Sequence, residues 1–103
     1  MLFVPLQAYP AYEFRTELDG YLFVFRVLWL GEPEQWIIDV DIDELDVHCH
    51  GLALVTGRDL LFGRGLYQLG MLALIDQQGN DDPDFAGLGD RWKLVYIPLG
   101  EAE

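Results

Sequence analysis

The stretch EFRTELDGYLFVFRVLWL, residues 13–30, decides the fold. Asp19-Gly20 lies between two strand-like runs, 13–18 and 21–30. A two-residue type I′ turn needs positive φ at both central positions, which Asp-Gly tolerates well. Such a turn sets the register: Leu18 faces Tyr21, Thr16 faces Phe23, Phe14 faces Phe25, and Glu13 faces Arg26 as a cross-strand ion pair. Side chains alternate between the faces of a strand. One face then carries Phe14, Thr16, Leu18, Tyr21, Phe23, Phe25, Val27 and Trp29, the expected core side. The other carries Glu13, Arg15, Glu17 and Arg26, but also Leu22, Val24, Leu28 and Leu30. Those four apolar residues are more than a solvated face needs, and they mark a candidate partner interface.

Outward from this hairpin the pattern stays β. Residues 31–35 read as a loop by their Gly and Pro. Residues 36–43 alternate, with Trp36, Ile38, Val40 and Ile42 on one side and Ile37, Asp39, Asp41 and Asp43 on an acidic, solvated edge. Further strands are expected at 50–56, 72–76 and 91–97, the last placing Trp92, Leu94 and Tyr96 on one side. Residues 59–71 fit neither period, and their glycines weaken a helix, so a short helical turn or bent strand is expected there. Residues 77–90 read as a polar loop. A parallel α/β sheet needs helical segments of 10–15 residues between strands, and none is apparent. The fold class is therefore mainly β: one small domain over residues 1–103, an antiparallel sandwich or barrel with at most one short helical segment.

The chain of 103 residues is half apolar and carries a formal charge of −12. That composition is too apolar for a disordered chain. Six basic residues are too few for a phosphate-binding footprint, so direct nucleic-acid binding is not expected. Residues 1–5 have no basic flank and break at Pro5, unlike a signal peptide. No apolar run approaches the ~20 residues of a membrane helix. With a single cysteine, Cys49, no intrachain disulfide forms. Synthesis in a cytoplasm and no membrane association are the expectation.

Catalytic motifs are missing. The chain contains no serine, which removes the Gly-x-Ser-x-Gly elbow. Gly63-Arg64-Gly65 is too short for a nucleotide fingerprint. Asp39-Val-Asp41-Ile-Asp43 starts like a calcium loop, but Glu44 and His50 stand where Gly and Glu are required. His48-Cys49-His50 puts two imidazoles on one strand face and the thiol on the other, which separates any nucleophile from its base. His48 and His50 with Asp46 supply three metal donors where a closed zinc site needs four. No enzyme activity and no cofactor are expected. Asp81, Asp82 and Asp84 form an acidic stretch suited to an exposed loop or to contact with a basic partner surface.

Four stretches in order resemble the baseplate plug family of contractile-tailed bacteriophages, known from cyanophages. They are Val4-Pro5-Leu6 with Leu18-Asp19-Gly20; Trp36 with Asp39; Gly51-Leu-Ala-Leu-Val-Thr-Gly57-Arg-Asp-Leu60-Leu61; and Gly70-Met71-Leu72, then an Asp-Pro loop, Leu88-Gly89 and Leu94-Val-Tyr-Ile97. Between Asp43 and His50 the chain departs from the family, with Glu44-Leu-Asp-Val47 in place of a Gly-containing turn. The resemblance implies a structural virion protein that plugs the central baseplate lumen at the hub. The implied partners are the hub, neighbouring tail proteins and the tape-measure protein, with several copies per baseplate. Two other functions fit the residues. One is an acidic DNA mimic that inhibits a host nuclease, which requires the acidic stretches 39–46 and 76–90 to share a face. The other is a small metal-binding domain built on His48, His50 and Asp46.

Overall fold

The computed structural model describes residues 2–61 and 69–98. The Asp-Gly turn forms as its chemistry requires, with φ of 57° at Asp19 and 83° at Gly20. It joins β2 (Ala11–Leu18) to β3 (Tyr21–Leu30) in the expected register, Leu18 opposite Tyr21 and Glu13 opposite Arg26. β3 pairs with β4 (Gln35–Ile42), and β4 with β5 (Val47–Ala53), giving an antiparallel meander β2-β3-β4-β5. A second antiparallel sheet has the order β1-β7-β6, from β1 (Leu2–Val4), β6 (Met71–Asp76) and β7 (Trp92–Ile97). Two antiparallel sheets packed face to face make a small β sandwich, the expected fold class. The helical content of the described residues is one 3₁₀ turn, Asp43–Leu45.

The core lies where the two inner faces meet. Phe23, Phe25 and Val27 of β3 and Trp36, Ile38, Val40 and Ile42 of β4 are buried. Leu72 and Leu74 of β6 and Leu94 and Tyr96 of β7 close it from the other side. Phe14, Phe25 and Phe23 stack in sequence at 5.2 and 5.8 Å, and Phe23 meets Tyr96 of the opposite sheet edge-on at 5.6 Å. Offset and edge-on aromatic contacts of this kind add to the area they bury.

Two expectations need correction. The fifth strand runs over Val47–Ala53, not 50–56. Its alternation is broken by a register shift opposite Ile38 and Val40, at Gly51 with φ of 72°. A residue with positive φ inserts an extra position, so His48 and His50 point out while Leu52 still points in. Residues 54–61 leave the meander and cross to the other sheet, where Gly57 and Leu60 donate to the Leu74 and Leu72 carbonyls. Most of the ambiguous stretch 59–71 lies outside the described residues. The second correction concerns Asp41, which is buried and not part of a solvated edge.

Candidate functional site

The outer face of the meander is built by the alternation of four strands. Leu22, Val24, Leu28 and Leu30 all fall on it, with Leu22 47% and Leu28 44% exposed, and Val24 and Leu30 half-buried. They do not form one patch. Cross-strand pairing sets Leu28 between Ala11 and Ile37, whereas Val24 lies between Arg15 and Asp41, and Leu22 beside Glu17. The row Glu13–Arg26–Asp39 runs between the two groups. The Arg26 guanidinium bonds Glu13 at 2.9 Å and Asp41 at 2.6 Å, the expected ion pair extended by one carboxylate.

Asp41 is the centre of the polar half. Its Oδ2 accepts from Arg26, and its Oδ1 accepts from His48 Nδ1 and His50 Nε2, each at 2.8 Å. Burial alone would raise the pKa of this carboxyl, but hydrogen bonds from His48, His50 and Arg26 outweigh it and lower the pKa to about 2. Asp39 accepts the Gly51 amide at 2.8 Å, which ties down the bulge. Cys49 lies opposite inward-facing Val40 and so on the other face from both histidines. Among the described residues, no group of three or more His, Cys, Asp or Glu side chains is arranged to hold a metal ion. The imidazoles are spent on Asp41, whose second oxygen already carries a cation.

This carboxylate makes an acid-sensitive contribution. The folded value of about 2 lies below the ordinary 3.8, so the contribution is full above pH 3.8 and is lost as pH falls through about 2. Urea midpoints measured from pH 5 to pH 2 are expected to fall, and in Asp41→Asn the part of that fall below pH 3.8 is expected to flatten. An unchanged slope in the variant would show that Asp41 carries none of it.

The second candidate surface is the loop between β6 and β7, and it is a folded element. Asp76 is buried and accepts from the Gln78 and Asp81 amides and from two nitrogens of Arg91. The Arg91 guanidinium holds the Asp76 carboxyl well below the usual carboxylate range. Arg91 also reaches Asp81 at 3.2 Å and lies over the Trp92 ring at 4.4 Å. The Asp81 carbonyl accepts from Thr56 Oγ1 and Trp92 Nε1, the Asp82 side chain accepts the Thr56 amide, and the Asp84 carbonyl accepts Trp36 Nε1. Asp84 Oδ1 also caps the Gly87 amide at 2.7 Å. The acidic residues singled out from sequence are therefore wired into both sheets, while Asp81, Asp82 and Asp84 stay exposed. Pro33, Glu34 and Leu54 line a cleft of about 220 Å³ with Trp36, Asp82 and Pro83 at this pole.

The acidic turn 43–46 follows the last residue of β4, whereas Asp84 touches Trp36 near its first. The 43–46 end of the first acidic stretch and Asp84 of the second therefore lie toward opposite ends of β4, with Asp39 and Asp41 along the strand between them. Sequence reasoning also missed the outer face of the three-stranded sheet, where Phe3 of β1 is 63% exposed and Met71 and Ile75 are exposed on β6, across β7. The chain matches, over residues 1–99, the family described as "Cyanophage baseplate Pam3 plug gp18", and it belongs to that family of phage baseplate proteins. No curated protein matches the chain. Membership makes it a structural virion component that associates with other baseplate proteins. No helix among the described residues is long and apolar enough to cross a membrane.

Proposed function

We propose that the protein plugs the central lumen of a contractile-tail baseplate, seated at the hub, and contacts neighbouring tail proteins and the tape-measure protein in several copies. The observation that carries this reading is the family match across residues 1–99. A doubly sheeted body with an aromatic core suits a part that must hold a channel closed until contraction. The contact surface proposed is the apolar half of the outer face, Leu28 with Leu30, together with the acidic pole of Asp81, Asp82 and Asp84, which would meet a basic neighbour. Leu22 and Val24, beyond the ion-paired row, would form a separate contact.

The test is a phage carrying Leu28→Asp. An exposed position tolerates the change in the free protein, so circular dichroism and Tm are expected to stay close to the parent. A carboxylate facing an apolar partner is expected to weaken incorporation into purified baseplates by about tenfold or more. Normal incorporation and normal tail assembly would remove this face from the interface. The family match favours the plug over the DNA-mimic reading.

A further inference from the structure

The β4–β5 connection carries a contact that the plug reading does not use. His48, 49% exposed, stands at the start of edge strand β5 and has both ring nitrogens on carboxylates. Nδ1 lies 2.8 Å from Asp41 Oδ1, and Nε2 lies 3.3 Å from Asp46 Oδ1. Asp46 ends the 3₁₀ turn in the left-handed region, φ 52°, with its amide on the Asp43 carbonyl at 3.1 Å. An ionised carboxylate only accepts hydrogen bonds. A neutral imidazole carries one N–H, so it can serve one of the two carboxylates, and its bare nitrogen would face the lone pairs of the other. Only the imidazolium donates to Asp41 and also presents an N–H and a positive charge to Asp46, in an ion pair at 3.3 Å.

We propose that His48 is a proton-operated latch: as imidazolium it ties the 43–46 turn to β4, and on losing its proton it lets that turn go. Asp41 is the contact retained, because it is buried and shorter, and Asp46, 97% exposed, is the one released. The ionisable groups on the same face of the meander as His48, or in the turn beside it, come from each strand of the sheet and from the turn. Asp41 and Asp39 come from β4, Arg26 from β3, and Glu13 and Arg15 from β2. Asp43, Glu44 and Asp46 come from the turn, and His50 from β5 itself. The three turn residues and the two β4 aspartates favour a cation, while Arg26 and Arg15 oppose one. The hydrogen bond to Asp41 holds the His48 pKa above its ordinary 6.5, with burial opposing and Asp46 assisting. A raised value means that the latch is fully closed below pH 6.5 and opens as pH rises through the higher folded value. What it controls is the start of the strand that ends the four-stranded sheet among the described residues, and a sheet edge is where pairing with another chain begins.

The experiment is an NMR titration of the free protein from pH 5.5 to 8.5. It follows the His48 ring protons and the protection factors of the Asp46 and Val47 amides, with the intrinsic pH dependence of exchange divided out. The parent is expected to titrate at His48 above 6.5 and to lose about 1.5- to 5-fold in protection across the range, the scale of an exposed ion pair. His48→Gln and Asp46→Asn are expected to flatten the response while the fold persists. His50→Gln is expected to keep it, since His50 does not reach the turn. A His48 midpoint at or below 6.5, or the same pH response surviving in His48→Gln or in Asp46→Asn, would overturn the latch. None of these readouts depends on baseplate assembly, so the latch and the plug reading fail separately.

Discussion

Asp76→Ala is expected to lower Tm by about 10 °C or more and to change the tryptophan fluorescence of the native state. The reason is the number of groups that one buried carboxylate serves. Oδ1 accepts from the Gln78 amide at 2.9 Å and Arg91 Nε at 2.7 Å, and Oδ2 accepts from the Asp81 amide at 3.0 Å and Arg91 Nη2 at 2.8 Å. Alanine leaves two amides without an acceptor and Arg91 with Asp81 at 3.2 Å as its remaining carboxylate contact. The loop these bonds shape holds Trp92 through the Asp81 carbonyl and Trp36 through the Asp84 carbonyl, which is why fluorescence reports on it. Asp76→Asn is expected to be no rescue, since the amide NH₂ would confront donors from Arg91 or the backbone. Arg91→Lys is expected to fall between, keeping the charge while losing the two-pronged geometry. A Tm within about 2 °C of the parent for Asp76→Ala would mean that the loop is held by its ring contacts alone.

What could be read in advance follows the range of each interaction. The hairpin was legible because turn chemistry and alternation act within a few residues: Asp19-Gly20 fixes the register, and the register places Glu13 on Arg26 at 2.9 Å. The inner faces of β3, β4 and β7 followed from period-two patterning. β5 was misplaced by three residues because the Gly51 bulge resets the alternation, and a glycine in a strand run does not announce on which side of it pairing resumes. β1 was missed because three apolar residues give no period to read; it exists because β7 offers an edge. Among site residues, the outward direction of Leu22, Val24, Leu28 and Leu30 followed from alternation, but their division into two groups depends on which residues β2 and β4 set beside them. Asp41 and Asp76 read as members of acidic runs. Their burial depends on cations brought from 15 residues away, Arg26 and Arg91, and nothing in local composition distinguishes a paired aspartate from a solvated one. The one available signal was that Asp76 and Arg91 flank a loop between two strands that would have to pair.

Trp36→Ala is expected to be the most damaging single change, about 3–5 kcal/mol and a Tm fall of about 15–30 °C. Trp36 is fully buried at the start of β4 and collects contacts from three separate parts of the chain. Its ring lies nearly parallel to Phe85 at 5.4 Å and meets Trp29 of β3 at 5.2 Å, its Nε1 donates to the Asp84 carbonyl at 2.8 Å, and its own carbonyl accepts the Leu54 amide. The acidic loop is therefore docked on the meander through one indole. Trp36→Phe separates the two ways it does so. Phenylalanine keeps most of the apolar contact and removes the N–H, leaving the Asp84 carbonyl without that donor, a loss of about 1 kcal/mol. If docking is chiefly ring packing, the phenylalanine variant retains most of the Tm and the parent's folded near-ultraviolet signature, and only alanine releases the loop. Should the two variants lose equal stability, the hydrogen bond to Asp84 would be the governing contact. The acidic pole would then owe its position to a single carbonyl, and not to the packed rings of Trp29, Trp36 and Phe85.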